Sequence, residues 1–348
     1  MRTYKIQEIS KNIFSGGTPS TQNSSFWDGD LPWLSSGETC NPYITSTNRT
    51  ITKAGADNSS TRLALKGDIV IASAGQGLTR GQTSFLKIDT YINQSIVAVR
   101  CNPNYVIDKY LFYNLYSRYD EMRLLSDSSS TRGSITTKMI SDMNITLPSL
   151  DEQQHIVNTI GTIDDLIEKY QEIINKINNI IRLKYANLEP SDIKLSSIAE
   201  IKYGVGLEAA KLNDRYKYPV YGSNGIIGTL PSYEFDKPKI CISCRGASSG
   251  NVILTKPYAT ISSNSLYLNL KDENITLPLY SFLNRTGLNS FATGSAQPQI
   301  TIDNLQHVNV PVITQNKNDN YIMTLYFTTL KKIESAKKCK ELLLSKYF

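Results

Sequence analysis

Residues 151–188 read DEQQHIVNTIGTIDDLIEKYQEIINKINNIIRLKYANL, and this stretch decides the fold. Its apolar residues recur at alternating steps of four and three, which predicts a long amphipathic helix with a heptad seam. The seam residues are Ile156, Ile160, Ile163, Ile167, Tyr170, Ile174, Ile177 and Ile181. Asp151, followed by Gln154 three residues later, is the predicted N-cap, and Pro190 is the predicted stop. At about 1.5 Å per residue the helix is about 55 Å long, so we interpret it as a spacer between domains.

Further apolar residues widen the seam into a stripe, which predicts packing against more than one neighbour. These residues are Val157, Leu166, Ile173 and Ile180. The alternative interpretation of the whole stretch is a buried core helix of one large domain.

The segments on either side of this helix repeat one another, which supports the spacer interpretation. Short motifs occur in the same order before and after it. The matched pairs are residues 5–9 and 194–198, 31–36 and 218–223, 66–75 and 237–246, 95–98 and 265–268, and 147–148 and 310–311. A second amphipathic helix follows the second copy, along Ile322, Tyr326, Thr329, Ile333, Ala336, Lys340, Leu343 and Tyr347. Thr329 and Lys340 weaken the middle of that second seam.

These patterns predict an α+β chain with two similar mixed α/β domains, each followed by a long helix. The predicted segments are a first domain at 1–150, the spacer helix at 151–190, a second domain at 191–317 and a C-terminal helix at 318–348. The spacer carries four basic and seven acidic residues, whereas residues 318–348 carry six basic and three acidic ones. Because the helices have opposite net charges, we expect them to pair as an antiparallel coiled coil. The pseudo-two-fold symmetry of that arrangement suits duplex DNA.

Composition excludes several classes of protein. The 348 residues carry a net charge of +6 and five cysteines, an odd number that does not predict a disulfide framework. Neither a run of eighteen apolar residues nor a signal peptide is visible in the sequence. We therefore expect a soluble, cytoplasmic protein that makes no contact with a membrane.

Several motifs resemble the specificity subunit of Type I restriction-modification systems. They are LPWLSSG at residues 31–37, KGDIV at 66–70, LPSLDEQQHIV at 147–157 and IDDLI at 163–167. The resemblance covers essentially the whole chain, including the order of domain, helix, domain and helix. The second domain departs from it, because it lacks the tryptophans Trp27 and Trp33 of the first.

This resemblance implies two target-recognition domains, each reading half of a bipartite site in double-stranded DNA. It also implies two copies of a methyltransferase subunit and, for cleavage, a translocating restriction endonuclease subunit. S-adenosylmethionine is then expected on the methyltransferase partner, and no cofactor is expected in this chain.

Polar and basic loop residues are the candidate DNA contacts, since Arg matches guanine, Asn or Gln matches adenine, and Ser or Tyr can hold phosphates. The candidates are Ser35, Ser36, Arg80, Arg132, Tyr221, Ser223, Asn224, Arg245, Ser248, Gln297 and Gln299. The alternative for each of them is an ordinary solvated loop position.

The sequence contains little that suggests catalysis. NPNY at residues 102–105 differs by one residue from the NPPY motif of adenine methyltransferases, and a turn is the favoured interpretation. Cys241 and Cys244 have the spacing of metal ligands, but residues three apart in a strand face opposite sides. His155 and His307 do not form part of a hydrolytic triad. We therefore predict a non-enzymatic protein without a metal site.

Two other classes of function remain open at this stage. One is a free-standing methyltransferase or nuclease, which would need a cofactor or metal motif. The other is a structural or ligand-binding repeat protein without a role on DNA. Binding to duplex DNA, with and without a methyltransferase partner, distinguishes these classes from a DNA-specificity subunit.

Overall fold

The computed structural model describes residues 1–75, 77–127, 133–208, 212–213, 215–294, 298–314 and 316–348. The chain forms two compact units. The first unit comprises residues 1–167 together with 336–348, and the second comprises residues 168–335. This division passes through both long helices, so each unit contains a part of each.

The first unit contains short strands and a few short helices before the spacer helix. Its strands are β1 Arg2–Lys5, β2 Ser10–Ser15, β3 Trp27–Leu34, β4 Tyr43–Ile44, β5 Arg49–Ile51, β6 Arg62–Ala64, β7 Ile69–Ala72, β8 Thr83–Leu86, β9 Thr90–Ile92, β10 Ile96–Cys101 and β11 Asn144–Leu147. Its helices are α1 Lys53–Asp57, α2 Asp108–Ser117, α3 Tyr119–Asp127 and α4 Thr137–Asp142, and the spacer helix is α5 Leu150–Lys184.

The first unit contains a five-stranded, a four-stranded and a two-stranded sheet, and β7 is the central strand of the first of these. The strand orders are β2-β10-β7-β8-β4 and β5-β3-β9-β6, while β1 pairs with β11. All four residues of β7 are buried, as the continuous apolar run predicts. Ile69 and Ile71 belong to the core that includes α2, whereas Val70 packs with Phe14 and Leu34 on the other side. The strand therefore contributes to two cores through alternate residues.

The second unit repeats the strand order of the first. Its strands are β12 Ile193–Lys194, β13 Ala199–Tyr203, β14 Tyr218–Gly222, β15 Gly225–Leu230, β16 Ile240–Ser243, β17 Val252–Leu254, β18 Thr260–Ile261, β19 Ser265–Leu270 and β20 Asn309–Val310. Its helices are α6 Leu195–Ile198, α7 Thr276–Thr286 and α8 Ile302–Gln306, and the last helix is α9 Lys317–Tyr347. The orders β13-β19-β16-β17 and β15-β14-β18, with β12 beside β20, match those of the first unit, except that the described residues form no strand corresponding to its edge strands β4 and β6.

The repeat extends to single backbone contacts. The N–H group of Gly17 donates to the carbonyl oxygen of Ile92 at 3.1 Å, and that of Val205 donates to Ile261 at 2.8 Å. A Cβ atom on Gly204 would overlap the carbonyl oxygen of Ile261, so only glycine allows this close approach. The predicted fold class, two similar mixed domains each followed by a long helix, is confirmed.

The start of the spacer helix differs from the prediction. The spacer begins at Leu150, and its N-cap is Ser149, whose Oγ accepts from the N–H of Glu152 at 3.3 Å. The predicted cap at Asp151 is therefore wrong, because the capping pair lies two residues earlier. Arg118 separates α2 from α3, and its guanidinium donates to the carbonyl oxygen of Asn144 at 2.9 Å.

In the first unit, α5 and α9 run antiparallel. Ile156 and Ile160 are buried in the main core together with Leu344. Asp164 follows them along α5, and its partner Lys340 precedes Leu344 along α9, with 2.6 Å between Oδ1 and Nζ. The two helices therefore run in opposite directions in this unit.

The second unit shows the same antiparallel pairing. Ile177 and Ile181 pack in one cluster with Ile322 and Tyr326. Ile174 is also buried, and Ile163, Ile167 and Tyr170 are half-buried, so the whole predicted seam faces inward.

The stripe beside the seam does not pack as expected. Leu166, Ile173 and Ile180 are 37%, 38% and 54% exposed, and of the widening residues Val157 alone is buried. The prediction of more than one neighbour is thus wrong for these three positions within the chain. Among the helices of the described ranges, none has an apolar stretch long enough to cross a membrane.

Candidate nucleic-acid interface

In the second unit, several candidate residues meet in the turn that follows β16. Arg245 and Gln299 pair through their backbones, and both are exposed. Ser248 lies in the same turn and is half-buried. The N–H of Ile300 donates to the carbonyl oxygen of Cys244 at 3.0 Å, which fixes the segment of Gln299 against the turn. The predicted Gln297 lies outside the described residues.

The turn between β14 and β15, which belong to another sheet of this unit, lies beside the end of β16. The Oγ of Ser243, the last residue of β16, donates to the carbonyl oxygen of Ser223. Asn224 is the next residue and is exposed. The structure therefore brings Ser223 and Asn224 to the end of β16, where the Arg245 turn begins.

Tyr221 does not belong to this surface. Its side chain is 4% exposed and packs in the core formed with Cys241, and its hydroxyl oxygen accepts from the N–H of Lys256 at 3.0 Å. Burial raises the pKa of Tyr221 to about 12. The prediction that its hydroxyl holds a phosphate is wrong, because the residue faces inward from β14.

In the first unit, Ser35 and Ser36 follow β3, the strand that matches β14. The Oγ and the backbone N–H of Ser35 both donate to Oε1 of Glu38, at 3.0 and 3.1 Å, so this hydroxyl is bound at the N-terminus of a short 3-10 helix, Ser36–Cys40. Ser36 is half-buried in that helix. The Oγ of Thr39 lies 3.4 Å from Oε1 of Gln82, which places the short helix beside the turn between β7 and β8.

Arg80 holds this turn rather than facing solvent. Its guanidinium donates to the carbonyl oxygen of Gly133 at 2.6 Å and pairs with Asp127, and the side chain is 13% exposed. A guanidinium bound in this way is not free to read a guanine, so the structure contradicts the predicted base contact. Arg132 lies outside the described residues.

Sequence reasoning missed Arg123, which lies on α3 and donates to the carbonyl oxygen of Gly77 at 2.7 Å. A cavity of about 400 Å³ lies here, and part of its lining is Gly75, Gly77, Arg80 and Arg123. The residues predicted to contact DNA are loop residues, whereas this arginine lies on a helix. The position of Arg123 on a helix that follows the repeated strands is the sequence feature that could have predicted its role.

The second unit has a cavity of about 280 Å³ at the matching place. Its lining includes Ser248, which was predicted, and the asparagines Asn251, Asn284 and Asn289, which were not. Asn284 lies in the last turn of α7 and Asn289 just beyond it, so their proximity to the β16–β17 turn is a tertiary feature. No local pattern in the sequence predicts it.

The tryptophans of the first unit support its structure from within. Trp27 and Trp33 are buried and meet edge to face, with 5.1 Å between ring centroids. The guanidinium of Arg49 lies 3.6 Å from the ring centroid of Trp27, a cation–π contact. The motif that contributes to the resemblance is thus a packing motif.

The two cysteines with metal-like spacing are buried in the protein core, and the NPNY motif forms a turn. Cys241 and Cys244 are buried in different cores, as the strand geometry predicts. Asn102 forms a turn in which its Oδ1 accepts from the N–H of Asn104 at 3.2 Å, which confirms the turn interpretation of the NPNY motif. Within the part of the chain that the structure describes, no group of three or more His, Cys, Asp or Glu residues could hold a metal ion.

A family model described as the Type I restriction modification DNA specificity domain matches residues 1–179 and 189–343. The chain belongs to this family. Both matched segments begin before the first strand of a repeat, so the family's domain corresponds to one copy of the repeat with much of the helix that follows it.

Three specificity subunits illustrate the similarity. The MjaIX specificity subunit of Methanocaldococcus jannaschii is 31% identical over 181 residues, which are 50% of this chain and 40% of that protein. The EcoR124I/EcoR124II subunit of Escherichia coli is 30% identical over 170 residues, or 48% and 42% of the two chains. The EcoprrI subunit of Escherichia coli is 21% identical over 330 residues, or 85% and 80%. The chain thus spans about two fifths of the length of the first two relatives.

The crystal structure of an S subunit of a Type I restriction-modification system from M. genitalium is similar to the whole chain. The TM-score is 0.59 with 18% sequence identity, and the match covers 100% of this chain and 96% of that one. At this identity the likeness establishes the shared fold.

Proposed function

We propose that this chain is a non-catalytic DNA-recognition subunit that binds a bipartite site in double-stranded DNA, one half-site for each unit. In this proposal it directs two methyltransferase subunits to the site and, where the system cleaves, a restriction endonuclease subunit as well. S-adenosylmethionine would bind to the methyltransferase partner, and the complex would act in the cytoplasm.

One observation carries the proposal: the repeat presents polar groups at the same end of both units. In the second unit these are Arg245, Gln299 and Asn224, all exposed beside the end of β16. In the first unit the corresponding end carries the β7–β8 turn with Arg123 beside it. Exposed guanidinium and amide groups are the side chains that read base edges in the major groove.

The test is methylation of defined duplexes by the chain together with its cognate methyltransferase subunit. Arg245→Ala should weaken binding by about 1–3 kcal/mol if the guanidinium reads a base. Arg215→Ala is the matched control, since this exposed arginine precedes β14, at the end of that strand away from Ser223. The control should leave binding unchanged.

Two outcomes would contradict the proposal. If the complex methylates no defined sequence and the chain binds no duplex, the repeat is structural or binds another ligand. If the isolated chain binds S-adenosylmethionine in calorimetry and transfers methyl groups without its partner, the chain is itself an enzyme.

A further inference from the structure

The amide-lined cavity of the second unit lies where the β16–β17 turn meets the end of α7. Its volume is about 280 Å³. The lining residues are Ala247, Ser248, Gly250, Asn251, Val252, Asn284, Gly287 and Asn289. The turn also carries Arg245, so the cavity adjoins the exposed polar surface described above.

Two glycines hold the walls of the cavity in place. Gly250 has a φ of +93°, and a Cβ atom there would lie 2.5 Å from the backbone nitrogen of Asn289. The turn therefore packs directly on the backbone that follows α7. Gly287 ends α7 with a φ of +69°, and its N–H donates to the carbonyl oxygen of Leu283 at 3.1 Å. The next residue, Leu288, is fully buried, so the wall is anchored in the core.

The side chains that face the cavity rim are uncharged amides. Asn251, Asn284 and Asn289 are exposed, and none of their side-chain amides is hydrogen-bonded to another residue within the described ranges. Each amide offers both a donor and an acceptor. Since no charged residue of the described ranges lines this cavity, its chemistry suits the edge of a base better than a phosphate group.

The first unit has different chemistry at the matching position. Arg80 and Arg123 line that cavity, together with Gly75 and Gly77, and Arg123 is bound to the carbonyl oxygen of Gly77. Both of these guanidiniums are bound within the first unit, Arg80 to the carbonyl oxygen of Gly133 and Arg123 to that of Gly77. Among the described residues, the amides of the second unit are not held in this way, and Asn can pair bidentately with adenine through N6 and N7.

We propose that Asn251, Asn284 and Asn289 are specificity-determining residues of the second unit and that they read an adenine of the second half-site. This inference rests on the proposed function. It assigns the base that the second unit selects and names the residues that select it.

The experiment uses the full chain with its cognate methyltransferase subunit. Methylated genomic sites are first mapped by sequencing with the unaltered chain, and then with Asn284→Ala and Asn289→Ala. The discrimination ratio is next measured on duplexes that replace each A·T pair of the second half-site in turn. We expect this ratio to fall by about tenfold or more at one position, the loss for one bidentate contact, with the first half-site unchanged.

Controls separate reading from folding. Asn320→Ala removes an exposed asparagine on α9 and should leave every ratio unchanged. Asn289→Asp should shift the preference at the same position toward cytosine, because a carboxylate accepts from N4 of cytosine. All variants should melt at the temperature of the unaltered chain, because the replaced side chains are exposed.

Failure of this inference differs from failure of the proposed function. If the unaltered complex methylates no defined site, the proposed function fails. If it does so but both alanine variants keep every ratio, or the second half-site contains no A·T pair, the asparagines do not read adenine. Equal loss on all duplexes, including those altered in the first half-site, also overturns the inference, because the cavity would then support binding without selecting a base.

Discussion

Lys340→Met tests whether a buried ion pair holds the end of α9 on the first unit. The Nζ of Lys340 lies 2.6 Å from Oδ1 of Asp164, and the two side chains are 10% and 12% exposed. The other oxygen, Oδ2, accepts from the hydroxyls of Tyr43 at 2.5 Å and Tyr113 at 2.7 Å. Methionine keeps most of the length of the side chain and removes its charge, so the carboxylate loses its cation but keeps two donors.

The expected loss of stability is about 3 kcal/mol. Breaking a buried ion pair by removing one partner costs roughly 3–5 kcal/mol, because it leaves a charge in the interior. The two tyrosine hydroxyls still bind the carboxylate of Asp164, which places the loss at the lower end of that range. Asp164→Asn combined with Lys340→Met removes both charges and should regain most of the loss, so the double-mutant cycle should show a large coupling.

Hydrogen exchange of residues 336–348 and urea unfolding of the full chain are the measurements. In Lys340→Met the amides of this segment should exchange faster than those of β7, because the segment opens locally. Lys338→Met, at an exposed position of the same helix, should change the free energy of unfolding by less than about 0.5 kcal/mol. If Lys340→Met matches this control in both measurements, the ion pair does not hold the helix and the reasoning is refuted.

Two further changes test the interior of each unit. Gly204→Ala should destabilise the second unit by more than about 2 kcal/mol in urea unfolding, because the added Cβ atom would overlap the backbone of Ile261. Gly206→Ala is the control and should be nearly neutral, because a Cβ atom there would have nothing within 4 Å. An equal loss of stability in both variants would contradict this prediction. Burial, and after it the charge of Asp164, raises the pKa of the Tyr43 and Tyr113 hydroxyls above the ordinary value. The contribution of these two hydroxyls to stability is therefore fully present below about pH 10 and is lost as the pH rises further. The free energy of unfolding, measured from pH 8 to 11, should therefore fall less steeply with pH in a variant with phenylalanine at both positions. If the slope is the same as in the unaltered chain, these hydroxyls are not the cause of the decline.

The sequence predicted the repeat and the helices well because both depend on local patterns. A buried strand such as β7 is an unbroken apolar run, and the same run followed by glycine recurs at β16. The seam of α5 follows from the spacing of isoleucines alone. The cap of α5 was placed two residues too late, because Asp151–Gln154 and Ser149–Glu152 both have the spacing of a capping pair, and only the hydrogen bond from Glu152 to Ser149 distinguishes them.

The candidate interface could be predicted only in part. Arg245 and Gln299 are where a polar loop should be, exposed and adjacent. Arg80 and Tyr221 were misplaced because long-range partners decide the direction of a side chain, and Asp127 and Lys256 are 47 and 35 residues away from them. Which polar residues face outward is a property of the packed unit.

Polar residues in the helix seams decide the register of the two helices. Thr329 and Lys340 weaken the apolar pattern of α9, yet both are buried. The hydroxyl of Thr329 donates to the carbonyl oxygen of Leu325 at 2.8 Å, so this residue needs no partner on α5.

Lys340 and Asp319 do need such partners. In the first unit Lys340 meets Asp164, and in the second unit Asp319, 1% exposed, accepts from Lys184 at 2.5 Å and from the hydroxyl of Tyr185. A seam of isoleucines alone tolerates a shift by one heptad, since each step presents a similar surface. A shift of α9 along α5 would leave a buried lysine in one unit and a buried aspartate in the other without a partner, at a cost of several kcal/mol for each. The polar interruptions of the seam therefore select one register, and the isoleucines supply most of the buried area.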